Sequence, residues 1–94
     1  MMNATQITVS LGTATATAEF LRSEDCGYSS GRLLLDLPNG DMISIRKNGR
    51  KWLETRIQNG IGCGAATEHA TKSAALNSAA LELLAETIQM ESFV

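Results

Sequence analysis

Histidine, cysteine and proline are scarce in this chain of 94 residues, which has one His, two Cys and one Pro. Two cysteines, Cys26 and Cys63, do not make the disulfide scaffold of a small secreted domain, and in a reducing cytosol both would be thiols. One histidine, His69, and two scattered cysteines match no zinc-ligand spacing, so no metal site is expected. Pro38 is the only proline, and neither a repeat nor a linker appears. We therefore expect a single domain over residues 1–94.

The chain also lacks a long apolar run. No stretch approaches the ~20 apolar residues that a bilayer-spanning helix needs. The N-terminal sequence MMNATQITVSL has neither the basic start nor the continuous apolar stretch of a signal peptide. The apolar share of 44% is typical of a globular domain, neither disordered nor membranous. These absences predict a cytoplasmic globular protein.

Charge is present but unevenly distributed. The formal net charge of −2 is too small to indicate the class of partner. Residues 46–56 nevertheless contain most of the basic side chains, and residues 65–94 are acidic. The basic members are Arg46, Lys47, Arg50, Lys51 and Arg56, and the acidic ones are Glu68, Glu82, Glu86 and Glu91. The sequence therefore predicts an electrically two-sided molecule.

Residues 5–21, TQITVSLGTATATAEFL, change the parity of their apolar positions at Gly12. A continuous strand keeps its parity, so the change indicates either a hairpin or one long bulged strand. A hairpin with a two-residue Gly12-Thr13 loop is favoured because its register pairs chemically similar residues. The pairs are Leu11 with Ala14, Val9 with Ala16, Ile7 with Ala18, and Thr8 with Thr17.

Residues 22–31 are polar and rich in Gly and Ser, which predicts a loop, and residues 32–57 predict an antiparallel three-stranded meander. The segment 38–40, Pro-Asn-Gly, suits a three-residue turn that ends in a left-handed glycine. That register pairs Leu33 with Ile45 and Leu35 with Ile43.

The second turn of the meander decides which face carries Trp52. A three-residue loop at 47–49 pairs Ile43 with Leu53 and puts Trp52 on the outer face, whereas a two-residue loop pairs Trp52 with Ile45 and puts it in the core. In the first register the outer face has three rows. The rows are Arg32, Arg46 and Arg50; Leu34, Ser44 and Trp52; and Asp36, Met42 and Glu54.

An indole and a leucine between a basic row and an acidic row are typical of a protein-binding surface. Arginines abreast on a sheet repel one another and would be stabilised by an anionic partner. In the alternative, Trp52 belongs to the core and the arginines are only solvated. The predicted binding residues are Trp52, Leu34, Arg32, Arg46, Arg50 and Arg56.

Residues 66–90 follow a helical period, with Thr67 as N-cap. The predicted buried stripe is Ser73, Leu76, Asn77, Ala80, Leu81, Leu84 and Ile88. The fold class predicted is therefore α+β, two-layer, with an antiparallel sheet of about five strands packed on one long C-terminal helix. A helix about 10–12 Å wide cannot cover a sheet roughly 20 Å wide. We expect the uncovered sheet, or the helix end near Met90 and Phe93, to meet another chain, most simply a second copy.

Catalytic patterns are weak. Residues 59–67, NGIGCGAAT, place glycines before a helix but lack the Lys-Ser/Thr of a phosphate-binding loop, so a flexible connection is expected. Cys63 and His69 could form a nucleophilic pair but carry no family signature. Glu82 and Glu86 are expected on a solvated helix face, and the alternative is an acidic surface that meets a basic partner. No enzyme activity and no cofactor are predicted.

Two local resemblances fall within residues 43–90. The stretch IRKNGRKW, followed by Arg56 and a helix, resembles the three-stranded sheet and helix of arm-type integrase DNA-binding domains. The resemblance implies DNA contacts by Arg46, Lys47, Trp52 and Arg56. The stretch GIGCGAATEHATKSAALNSAALELL is similar to the last helix of double-stranded-RNA-binding domains, although the start of that helix has no lysine here.

In overall format the chain resembles small acidic proteins of phages and mobile elements, including anti-CRISPR inhibitors. That resemblance implies action by occupying a surface of a host complex. The expected function is a non-enzymatic protein-binding module, and the alternative is a nucleic-acid-binding module that uses the basic hairpin at 46–56.

Overall fold

The computed structural model describes residues 5–27 and 31–92, except the side chains of Cys63, Glu91 and Ser92. Part of the predicted loop, residues 28–30, and the predicted contact residue Phe93 lie outside the described residues. Six antiparallel strands in sequence order form one sheet, and a C-terminal helix follows. The strands are β1 (Thr5–Leu11), β2 (Ala14–Arg22), β3 (Arg32–Asp36), β4 (Met42–Asn48), β5 (Lys51–Gln58) and β6 (Ile61–His69), and the helix is α1 (Lys72–Ser92). The α+β prediction is confirmed, with six strands where about five were expected.

The first hairpin has the predicted register, with Leu11 paired with Ala14 and Thr8 with Thr17. Gly12 has φ of 64° at the first position of the two-residue loop, a conformation that favours glycine and matches strand twist. The Thr8 and Thr17 hydroxyl oxygens are 3.0 Å apart on the outer face. On the opposite face of β2, Ala18 and Phe20 are fully buried.

The turn between β3 and β4 also follows the prediction. Gly40, with φ of 94°, donates its N–H to the Leu37 carbonyl over 3.0 Å. Leu33 therefore pairs with Ile45 and Leu35 with Ile43. The three-residue turn fixes these four side chains on the face that meets the helix.

The register between β4 and β5 differs from both versions considered, but the loop has two residues and Trp52 packs on the core, as the alternative predicted. The loop is Gly49-Arg50, closed by the pair of Asn48 with Lys51, and Gly49 has φ of 64°. Glycine at the first loop position favours a type II′ turn, which moves the loop one residue beyond Asn48-Gly49. Because strand side chains alternate, the new register turns Trp52 to the inner face.

Residues 61–69 form strand β6, where a flexible connection and the start of the helix were predicted. Asn59 and Gly60 both have positive φ, 53° and 80°, as a type I′ hairpin turn requires. Thr67 pairs with Glu54 in the sheet and is not the N-cap. Instead the Thr71 hydroxyl accepts the Ala74 N–H over 3.1 Å, and the helix begins at Lys72 where residue 66 was predicted.

The helix packs its small residues on the inner face of the sheet. Its buried residues are Ala75, Leu76, Ala79, Ala80 and Leu84. They cover Phe20, Leu35, Ile43 and Ile45. Three members of the predicted stripe, Ser73, Asn77 and Leu81, are exposed. The stripe that contacts the sheet is rotated around the helix relative to the predicted one, because it consists mainly of alanines. No helix among the described residues is both long and apolar enough to cross a membrane.

Candidate functional site

Seven of the eight Lys and Arg residues lie at one end of the sheet, which we call the basic end. Antiparallel strands bring the ends of β2 and β4 beside the starts of β3 and β5, and α1 begins at the same end. The seven are Arg22, Arg32, Arg46, Lys47, Arg50, Lys51 and Lys72. Charge is therefore polarised along the strands, since only Arg56 lies elsewhere.

A pocket of about 240 Å³ opens at the basic end of the inner face, and we call it the Trp52 pocket. The pocket exists because α1 begins only at Lys72 and leaves this end of the inner sheet face uncovered. Its floor is Leu33, Ile45 and Trp52, and its rim includes Arg22, Glu24, Gly31, Arg32 and Lys72. The pocket thus combines an apolar floor with a rim that carries three cations and one carboxylate.

Trp52 is half-buried and packs against the hydrophobic core. The Lys72 Nζ lies 5.7 Å from the centre of its ring, within range of a cation–π interaction. The predicted outer-face position of Trp52 is therefore wrong, and the row of Leu34, Ser44 and Trp52 does not form. Thr55 pairs with Ser44 in its place, and Leu34 and Ser44 are both buried.

The predicted basic row forms only in part. Arg32 pairs with Arg46 as expected, but Arg46 then pairs with Leu53, and Arg50 lies in the loop. Within the described part of the chain, no ion pair links any of these three arginines to a carboxylate. Their guanidinium groups are exposed to an incoming anion. Arg32 is the one that also reaches the rim of the Trp52 pocket.

Arg56 is occupied inside the fold. Its Nε and Nη2 donate to the Asp41 carboxylate over 3.0 and 2.9 Å, and Nη2 also donates to Glu86 of α1. These hydrogen bonds raise the pKa of Arg56, and the bond to Glu86 has the largest effect. The Arg56 guanidinium in turn lowers the pKa of Asp41. Glu86 was expected on a solvated face, but its side chain is only 17% exposed. Arg56 therefore joins sheet, loop and helix, and its guanidinium is already bonded to two carboxylates.

A second polar cluster lies between β5, β6 and the helix. The buried Glu54 carboxylate lies 2.9 Å from the Nε2 of His69. Burial, and then the charge and hydrogen bond of Glu54, raise the pKa of Glu82. The cluster was missed because it depends on the β4–β5 register and on strand β6. The Asn59-Gly60 turn is the sequence signal that could have located that strand.

His69 was considered with Cys63 as a nucleophilic pair. The side chain of Cys63 lies outside the described residues, and the described partner of His69 is Glu54. Cys26 is an exposed free thiol. Over residues 5–27 and 31–92, no group of three or more His, Cys, Asp and Glu side chains has a metal-binding arrangement.

Arg22, Lys72, Leu33 and Ile45 belong to the Trp52 pocket but were not predicted as site residues. Arg22, Leu33 and Lys72 lie near a strand end or the helix start and Ile45 lies in the middle of β4, so only the tertiary arrangement brings them to Trp52. Comparison with protein-family models, with curated proteins and with solved structures finds no match.

Proposed function

We propose that this protein is a non-enzymatic protein-binding module that engages an acidic segment of its partner at the basic end. The observation that carries the proposal is the Trp52 pocket, in which an apolar floor lies beneath Arg22, Arg32 and Lys72. A partner side chain that is aromatic or aliphatic would pack on the floor. Carboxylates beside it would face the three cations of the rim.

The size of the pocket supports a side chain rather than a cofactor as the bound group. Small-molecule sites typically measure about 300–1,000 Å³. The Trp52 pocket, at about 240 Å³, has room for one or two side chains. Tryptophan and arginine in a partly desolvated pocket are the residues that most often dominate a protein interface.

Arg46 and Arg50, at the exposed tip of the β4–β5 hairpin, would extend the contact and speed the encounter with an acidic surface. Leu34 is buried and would not contact the partner, but it would stabilise strand β3, which carries Arg32. A module of this kind would act by covering a surface of a host complex, which is the action implied by its resemblance in format to small phage inhibitors.

Because Trp52 is the only tryptophan of the chain, its fluorescence reports on the pocket. We expect the fluorescence of Trp52 to change saturably when the acetylated, amidated peptide Glu-Glu-Phe-Glu-Glu is added. Replacing Phe by Ala should weaken binding because the floor loses its apolar contact. The peptide Lys-Lys-Phe-Lys-Lys should not bind, since the rim would repel it.

Two variants separate the pocket from general charge attraction. Lys72→Ala should lower the affinity for the acidic peptide several-fold, because Lys72 lies over the indole ring. Lys51→Ala is the matched control, a cation of the basic end that pairs with Glu68 and does not line the pocket. Equal loss in both variants, or no fluorescence change with the acidic peptide, would contradict the proposal.

A second candidate function is nucleic-acid binding by the basic 46–56 hairpin. It is favoured by four cations within six residues at the hairpin tip, Arg46, Lys47, Arg50 and Lys51. This function predicts binding of generic DNA or RNA that weakens steeply with salt. Retention of that binding by Lys72→Ala, together with loss in an Arg46→Ala, Arg50→Ala double variant, would favour this candidate over the pocket.

A further inference from the structure

Strand β1 is an edge of the sheet and has none of the features that usually block an edge. Its sequence, TQITVSL, contains no charge and no proline, and it pairs with β2 over its whole length without a bulge. Free strand edges of this kind readily pair with another strand. The other edge, β6, differs, since it contains Gly62 and Gly64 and an irregular register opposite Glu54 to Arg56.

The turn at Gly12 determines which backbone groups of β1 face the free edge. In a two-residue hairpin the flanking pair, Leu11 with Ala14, is joined by hydrogen bonds, and bonded and non-bonded pairs then alternate along the strands. Val9 and Ile7 therefore bond to β2. The backbone N–H and C=O groups of Gln6, Thr8 and Ser10 point away from β2, outward at the free edge of the sheet.

The order of residues in β1 is self-complementary about Thr8. If two copies pair antiparallel with Thr8 opposite Thr8, Gln6 meets Ser10 and Ile7 meets Val9 of the other copy. The outward backbone groups of Gln6, Thr8 and Ser10 then face one another, which allows about six inter-strand hydrogen bonds. Ile7 and Val9, both half-buried in one copy, become neighbours on the inner face.

The helix supports the same arrangement. Glu86 reaches Arg56 of β5, so the flank of α1 that carries Leu81 lies toward β1, which α1 also contacts. Leu81 is 51% exposed. A two-fold axis through Thr8 keeps both helices on one side of the joined sheet, with their Leu81 flanks facing each other across Ile7 and Val9.

We propose that two copies of this chain form a dimer in which their β1 strands pair antiparallel about Thr8 and join the two sheets into one. The partner is a second copy because the register that aligns the outward hydrogen-bonding groups also matches like residues on both faces. The basic ends and Trp52 pockets stay outside this interface, so each dimer presents two binding sites. The dimer does not depend on the proposed function.

The test is the oligomeric state by sedimentation equilibrium. We expect a dimer for the unmodified chain and a monomer for Thr8→Pro, whose ring removes an outward N–H and costs no backbone hydrogen bond to β2, although the hydroxyl contact with Thr17 is lost. Thr8→Lys and Thr8→Glu should each weaken the dimer about five-fold, because like charges then lie opposite each other. An equimolar mixture of these two should recover dimer as the mixed species.

The control variant is Thr17→Lys. It removes the same hydroxyl contact as Thr8→Lys and adds the same charge on the same exposed face, but it lies in β2, one strand from the edge. It should remain a dimer. The proposal is overturned if the unmodified chain is monomeric, if Thr8→Pro remains a dimer with native circular dichroism, or if Thr17→Lys dissociates as readily as Thr8→Lys.

Discussion

At the scale of single residues, burial separates basic side chains that look alike in sequence. Lys51 pairs with Glu68 at the surface, with both side chains more than half exposed. Arg56, five residues away, is 28% exposed and bonds to two carboxylates from a loop and the helix. The first pair contributes little to the free energy of unfolding because water screens it, whereas the second connects three parts of the fold.

We predict that Arg56→Ala lowers the free energy of unfolding by about 1–2 kcal/mol, between the values for exposed and for buried ion pairs. The loss arises because the Asp41 and Glu86 carboxylates then lack their cation. Urea unfolding at neutral pH measures it, with Lys51→Ala as the control that should lose less than about 1 kcal/mol.

The same comparison has a defined pH dependence. The pKa of Asp41 is lowered by Arg56, so its contribution to stability is present above the ordinary pKa of 3.8 and is lost as pH falls through the lowered value. The difference between the unmodified chain and Arg56→Ala should shrink on acidification. An unchanged or larger difference at low pH would contradict this account.

The contribution of Glu82 to stability has the opposite pH dependence. Its folded-state pKa is raised above 4.5 by burial and by Glu54, so ionised Glu82 destabilises the fold as pH rises through the raised value. We predict that Glu82→Gln raises the free energy of unfolding at pH 7 by less than about 1 kcal/mol, since the carboxylate is partly screened by water. The gain should disappear below about pH 4, where Glu82 is protonated in both states. A gain that persisted unchanged below about pH 4 would contradict this account.

At the scale of secondary-structure elements, the hairpin turns determine which side chains reach the site. The Gly12-Thr13 and 38–40 turns have one favourable geometry each, and their registers could be predicted from sequence. The 47–50 segment allows several loops, and the Gly49-Arg50 loop that forms puts Trp52 on the inner face with Leu33 and Ile45. Strand β6 was missed because its glycines indicated a flexible connection and its alanines the start of the helix, and both residue types are depleted in strands.

We predict that Gly49→Ala lowers the free energy of unfolding by about 1 kcal/mol, because a Cβ is strained at its φ of 64° even though no atom lies within 4 Å. Gly62→Ala is the control, since Gly62 does not have positive φ and the added Cβ would meet only the Thr55 Cγ2 at 3.7 Å. Thermal unfolding of both variants tests the turn. Equal losses would indicate that the Gly49 conformation is not what the hairpin requires.

At the scale of the whole molecule, the sheet is open at both sides and carries its positive charge at one end. Helix α1 covers the central part of the inner face and leaves the β1 edge and the Trp52 pocket uncovered. These two regions have different chemistry, one uncharged and the other cationic. They suit different partners, a second copy and an acidic segment.

The proposed dimer predicts that the midpoint of thermal unfolding rises with protein concentration, because dissociation accompanies unfolding. Thr8→Pro should unfold at a midpoint that does not depend on concentration. Differential scanning calorimetry over a hundred-fold range of concentration makes the comparison. A midpoint of the unmodified chain that stays constant over that range would count against the dimer.

The sequence by itself determined the α+β class, the first two turns and the concentration of basic residues near 46–51, because these depend on local periodicity and on glycine conformation. Only the tertiary structure decided the face of Trp52, the fate of Arg56 and the composition of the pocket. The physical reason is that a shift of one residue in a loop reverses every side chain of the following strand, at little local cost. The helix and the sheet then select among such registers by what they bury together, and that selection involves residues far apart in the chain.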